Sequence, residues 1–166
     1  MLETTPNIIA LYSNLMTKVN VLESIRFIRS EPTLSHTKVV LGGPDLTYNV
    51  DRYLNAGADV LVLGEGEQTM TEIVRAQQNN ESLDAITGIA FKNATGEVVK
   101  TPPRTKLRSI NELPMPNREA IDLQKYLDVW QSAHGQNAIN VSTQRGCPYT
   151  CKWCSTAVYG QSYRRR

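Results

Sequence analysis

The sequence predicts an α/β fold built on a parallel sheet. Three observations carry this. Short apolar runs alternate with amphipathic stretches through the N-terminal half of the chain, and each run ends in a small, polar or glycine-rich turn. The resulting order, strand–helix three times over, is satisfied by parallel strands with helices packed on the sheet faces.

Asn7-Ile8-Ile9-Ala10-Leu11 is a buried strand by its apolar run and two isoleucines. Val19, Leu22, Ile25 and Ile28 recur at helical spacing and make 20–29 an amphipathic helix, with Pro32 marking the turn beyond it. Lys38-Val39-Val40-Leu41 is the second strand, broken at once by Gly42-Gly43-Pro44. A short helix spans 50–56 and stops at Gly57; 59–63 is the third strand; Gly64-Glu65-Gly66-Glu67 then leads into a helix over 69–77. From Gln78 the chain turns polar, and 88–92 with 97–100 frame an Asn93-Ala94-Thr95-Gly96 turn, a β-hairpin pattern. Pro102, Pro103, Pro114 and Pro116 make 101–116 an extended crossing segment, followed by a helix over 122–130. A last strand, 137–143, runs directly into the cysteines.

At 166 residues, 40% hydrophobic and 20% charged, the chain has the composition of a soluble globular domain with a real core. No apolar run approaches the ~20 residues that cross a bilayer. The N-terminus lacks the basic flank and apolar stretch of a signal peptide, so a cytoplasmic location is expected by default. A net charge of +2 is too small to argue for nucleic acid, and Arg164-Arg165-Arg166 reads as a solvated end.

All three cysteines stand close together: Cys147, Cys151 and Cys154, spaced C-x3-C-x2-C. Such a cluster points to metal or redox chemistry and not to a disulfide framework. Protein-only zinc sites are four-coordinate, so zinc would need a fourth ligand such as His134. Thiolates suit iron–sulfur clusters equally well.

With Trp153 directly before the last cysteine, this segment closely resembles the cluster motif of the radical S-adenosylmethionine enzymes. In that family the loop follows the first strand of a partial TIM-type barrel, the place that 137–143 would fill. The resemblance implies that Cys147, Cys151 and Cys154 ligate a 4Fe–4S cluster and that their sulfurs converge on one point. The iron left without a protein ligand would chelate S-adenosylmethionine, which the reduced cluster cleaves to a 5′-deoxyadenosyl radical. Trp153 would pack beside the cluster, with its backbone near the adenine. Gly146 would permit the turn out of the strand, and the Arg145 cation would favour a negatively charged cluster or stand as a surface charge. A zinc knuckle completed by His134 is the alternative.

The turns at the three strand ends carry a second pattern. No G-x-G-x-x-G opens a helix, and two glutamates make a poor phosphate cradle, so a dinucleotide reading has little support. Ser13-Asn14-Leu15, however, is followed after twenty-six residues by Gly42-Gly43. This S-x-L…G-G spacing resembles the cobalamin-binding domains of the methionine-synthase type, whose sheet is Rossmann-like, of flavodoxin-like order. The resemblance implies that Ser13, Leu15, Gly42 and Gly43 line a channel for the cofactor's nucleotide tail, the serine hydroxyl bonding the base. Gly64, Glu65 and Gly66 resemble the "GEGE" turn of cobalamin-dependent radical enzymes.

The family's D-x-H-x-x-G element should precede Ser13, where only twelve residues stand, so no cobalt ligand is assigned. His36 and His134, each preceding a strand, read as ordinary surface or packing residues. The implied organisation is the C-terminal part of a cobalamin-binding domain (1–80), a hairpin and proline-rich linker (81–136) and the start of a radical S-adenosylmethionine barrel (137–166). Such a piece, cut at both ends, would not be active alone. Its cofactors would be a 4Fe–4S cluster, S-adenosylmethionine and cobalamin. Its partners would be a small-molecule substrate and a reductant such as flavodoxin or ferredoxin. A zinc-binding or regulatory cobalamin-binding module is the alternative from a different class.

Overall fold

The structure, a computed structural model, describes residues 4–149, 151–154 and 163–165. The chain forms two compact units, Met1–Lys106 and Leu107–Arg166.

In the first unit a five-stranded sheet runs in the order β1 (Ile8–Tyr12), β2 (Lys38–Gly42), β3 (Val60–Val62), β4 (Ile89–Lys92) and β5 (Val98–Lys100). The first three strands are parallel, in register Ile8 with Lys38 and Val40 with Val60, as the strand–helix alternation predicts. The hairpin departs from expectation. Read as part of a linker, β4–β5 instead joins the sheet: β4 pairs antiparallel with β3, Leu61 opposite Ala90. Its apolar residues Ile89, Ala90 and Phe91 are all buried, which a hairpin standing alone could not achieve.

Strand alternation divides the core into two layers. Ile9, Val39, Leu41, Leu61 and Ala90 point to one face, where α1 (Lys18–Ser30) contributes Val21, Leu22, Ile25 and Ile28 and α2 (Val50–Asn55) contributes Val50, Tyr53 and Leu54. Val40, Val60, Val62, Ile89 and Phe91 point to the other, against Ile73 and Ala76 of α3 (Glu67–Asn79). Arg29, at the end of α1, ties the opposite rim of the sheet: it donates to the Gly57 and Thr37 carbonyls at 2.8 and 2.9 Å and pairs with Asp59. Asp59 in turn accepts from the Val39 N–H at 2.7 Å.

The second unit holds α4 (Leu123–His134), capped by Asp122, whose carboxylate accepts from the Lys125 N–H at 3.2 Å. Gly135 ends the helix at φ +72°, four residues past the expected stop, because nothing between Trp130 and Gly135 breaks it. The strand expected over 137–143 does not form. A strand needs a partner for its backbone groups, and the described residues provide none there. The pairing falls one step later, between β6 (Gln144–Arg145) and β7 (Arg164–Arg165), antiparallel. Among the described residues no helix is long and apolar enough to cross a membrane.

Candidate functional site at the strand ends and the cysteine loop

Parallel pairing brings the C-terminal ends of β1, β2 and β3 to one edge of the sheet, because Tyr12 lies opposite Gly42 and Leu41 opposite Leu61. The turns at Ser13, Gly42 and Gly64 therefore share that edge, where open α/β sheets bind ligands.

In the first turn the Ser13 N–H donates to the Gly42 carbonyl at 2.7 Å, carrying the ladder one residue past β1. Asn14 then accepts from the N–H groups of Met16 and Thr17, both at 2.9 Å, a local turn that starts α1. This arrangement turns Leu15 outward, 78% exposed, with Tyr12, Met16 and Tyr48 also exposed.

The two glycines of the second turn differ. Gly43 has φ +120°, and a Cβ there would stand 2.0 Å from the Ser13 carbonyl oxygen. Its missing side chain is thus taken up by the Ser13 backbone. At Gly42 a Cβ would meet nothing within 4 Å, so the space beside it is open. In the third turn Gly64 has φ +100° with open space around it, and Gly66 precedes α3, whose first turn carries Glu67. The Glu65 carbonyl accepts from the Thr69 hydroxyl at 3.3 Å.

Behind the first two turns lies a buried polar chain. The Ser13 hydroxyl, on a fully buried residue, is 2.6 Å from that of Tyr53, also fully buried. Tyr53 donates to Asp45 Oδ2 at 2.7 Å, and Lys18 Nζ lies 2.9 Å from the same oxygen. Asn49 Nδ2 donates to Asp45 at 3.2 Å. Burial works against the charge on Asp45, but the hydrogen bonds from Tyr53 and Lys18 and the positive charges of Lys18 and Arg52 hold its carboxyl below the usual carboxylate range. Burial, with the Asp45 carboxylate alongside, pushes the Tyr53 phenol up. Lys18, Asp45 and Tyr53 escape a motif search. The available signal is that a tyrosine on the buried face of a helix needs a partner for its hydroxyl.

A separate cavity of about 130 Å³ lies on the α3 side of the sheet, lined by Ile8, Lys38, Val40, Asp59, Ile73 and Phe91. Lys38 and Asp59 lie at the opposite ends of their strands from the turns.

In the second unit Gly146, at φ +72°, makes the expected turn out of β6 into the cysteines. Cys147 and Cys154 are half-buried, Cys151 is exposed, and no disulfide joins them. The sulfurs do not converge as expected: among the described residues no group of three His, Cys, Asp or Glu side chains is placed to hold a metal ion. Thiolates repel one another, and gathering them is commonly coupled to metal binding. As a donor set, three thiols within one loop suit iron–sulfur ligation. Trp153 is 98% exposed among the described residues. His134, the alternative fourth ligand, packs tilted against Trp130, with 4.3 Å between ring centroids and 43° between the ring planes. Beyond the last cysteine, residues 155–162 and 166 lie outside the described residues.

No protein-family profile matches the chain. An uncharacterized methyltransferase of Pyrococcus horikoshii is 33% identical over 129 residues, 76% of this chain and 27% of that protein. The cobalamin-dependent S-adenosylmethionine radical enzyme OxsB, solved with aqua-cobalamin and S-adenosylmethionine bound, superposes with a TM-score of 0.72 at 22% identity, over 92% of this chain and 20% of its own. The radical S-adenosylmethionine methyltransferase TsrM from Kitasatospora setae, with cobalamin and a [4Fe-4S] cluster bound, superposes with a TM-score of 0.60 at 16% identity, over 90% of this chain and 31% of its own. The chain thus spans between a fifth and a third of the length of these proteins.

Proposed function

We propose that this chain, a relative of the cobalamin-dependent radical S-adenosylmethionine enzymes, is the stretch of such an enzyme that holds the cobalamin tail and supplies the cluster ligands. The observation that carries this reading is the shared sheet edge, where Ser13, Gly42 and Gly64 arrive together in a chain that also bears the C-x3-C-x2-C loop.

Leu15, Gly42 and Gly64 offer exposed apolar surface and open space along that edge, while Gly43 lets the second turn close on Ser13. The acidic Glu65 and Glu67 discourage a bare phosphate and favour a ligand contacted through neutral groups. Cys147, Cys151 and Cys154 would hold the cluster, and Arg145, one residue before Gly146, would favour its negative charge. When bound, the cluster supplies the electron for reductive cleavage of S-adenosylmethionine, which serves methyl transfer or carbon-skeleton chemistry. Trp153 would then lose its exposure by packing beside the cluster and nucleoside. The electron would come from a cytoplasmic reductant of the flavodoxin or ferredoxin type, and the substrate would be a small molecule. The chain alone is not expected to turn over S-adenosylmethionine, since chelation without positioning leaves the sulfonium unaligned.

Anaerobic reconstitution with iron and sulfide tests the ligand assignment. About four irons and four acid-labile sulfides per chain are expected. Each of Cys147→Ala, Cys151→Ala and Cys154→Ala should abolish them. Stoichiometric zinc in place of iron, or cluster retention in any of the three variants, would overturn it.

A further inference from the structure

Charge is unevenly placed along the chain. Of the 18 basic and 16 acidic residues, no acidic one lies beyond Asp128, whereas Arg145, Lys152, Arg164, Arg165 and Arg166 do. Residues 129–166 therefore carry +5, and residues 1–128, with 13 basic against 16 acidic, carry −3. The fold brings that positive charge to the thiols. Lys152 stands inside the cysteine loop, between Cys151 and Trp153. The β6–β7 pairing returns Arg164 to Arg145 and Arg165 to Gln144, beside the residues that lead into Cys147. Arg164 is half-buried and donates to the Leu107 carbonyl at 2.6 Å, while Lys152 and Arg165 are exposed. Tyr149 and Cys151, on the same loop, are exposed as well.

We infer that this basic face around the cysteine loop, with Lys152 and Arg165 as its exposed cations, is the docking surface for an acidic one-electron carrier protein. This rests on the cluster reading proposed above and gives the reductant a place to bind. Electron transfer falls steeply with distance, so the donor to a cluster on Cys147, Cys151 and Cys154 has to come close to this loop. Tyr149 supplies an aromatic contact of the kind found at the centre of protein interfaces, and the cations supply a charged rim. The +5 stretch attracts and orients an acidic partner, while the remaining −3 repels it from the rest of the chain. One electron passes from the carrier's reduced flavin or iron–sulfur group to the cluster. The carrier is oxidised by one electron, and no bond of the chain forms or breaks.

The test is the rate at which reduced flavodoxin reduces the reconstituted cluster, followed by the loss of visible absorbance after rapid mixing. The second-order rate constant should fall about tenfold as salt rises from about 20 to about 200 mM, because screening removes the steering. At the lower salt Lys152→Glu and Arg165→Glu should each slow reduction about fivefold, and at the higher salt both should approach the unchanged protein. Lys125→Glu, the same charge change on α4 outside the acid-free stretch, should slow it less than about twofold. Photoreduced deazariboflavin, a small reductant without charge, should reduce every variant at one rate. Iron per chain is measured first. Where a glutamate variant takes up no cluster, Lys152→Gln or Arg165→Gln replaces it, with an effect of the same sign. Loss of the cluster in these as well would make the cations part of the cluster site and overturn the docking role. Unchanged rates in both variants, or equal slowing by Lys125→Glu, would also overturn it and leave the cluster reading standing. Slowing with deazariboflavin too would mean that the cations act on the cluster itself, again overturning it. A single-stranded RNA held by the unchanged protein more tightly than about 1 μM at about 150 mM salt would assign the face to nucleic acid instead. Failure of the unchanged protein to take up iron and sulfide would overturn the cluster reading and this inference together.

Discussion

Gly42 and Gly43 are neighbours in sequence with different physical roles. A methyl group at Gly43 would collide with the Ser13 carbonyl and would have to be carried at φ +120°, a backbone region open to glycine. Gly43→Ala should therefore destabilise the chain by at least about 2 kcal/mol. Gly42→Ala should stay within about 0.5 kcal/mol, because nothing stands in its way. Urea denaturation of the two variants checks the contrast, and equal losses would show that the turn is not packed as described. Asp45 carries a second prediction at this scale. Its folded carboxyl titrates below its unfolded value of 3.8, so between the two values the unfolded chain binds the extra proton and stability rises with pH. The contribution is complete above about pH 4 and fades as acid carries the protein down through the folded value. Urea midpoints at pH 5 and pH 3 should therefore fall further for the unchanged protein than for Asp45→Asn. The motif Ser13-Asn14-Leu15…Gly42-Gly43 was legible in the sequence, but the division of labour between the glycines was not. It depends on a contact between residues thirty apart in the chain, which spacing does not report.

β1 stands at the edge of the sheet, with β2 on one side and no described strand on the other. Its sequence, Ile-Ile-Ala-Leu-Tyr, carries no charge and no proline, and Ala10 and Tyr12 are exposed. An apolar edge of that kind recruits other strands. Ala10→Lys should reduce self-association, read by light scattering over a concentration series, while leaving the thermal midpoint nearly unchanged. Undiminished association would place the sticky surface elsewhere. Apolar runs made β1, β2 and β3 readable, because burial between helices demands them. The fate of the hairpin was not readable in the same way: its turn is local, but its pairing with β3 links Val62 to Ile89 across the whole of α3. Conversely, 137–143 has a strand's composition and pairs with no strand among the described residues, since propensity alone does not supply a partner.

For the whole molecule, the cysteine spacing and the Ser13-Asn14-Leu15…Gly42-Gly43 pattern carry the resemblance in the sequence itself, and the α/β alternation carries the fold class, whereas the hydrogen-bonded chain behind Ser13 exists only in the folded protein. The short β6–β7 ladder has a consequence of its own. Arg145 pairs with Arg164, so the eighteen residues between them, all three cysteines included, form a loop whose ends are already held together. Part of the entropy of closing that loop is thereby spent before any metal arrives, and the thiols meet at a higher effective concentration than they would on an open tail.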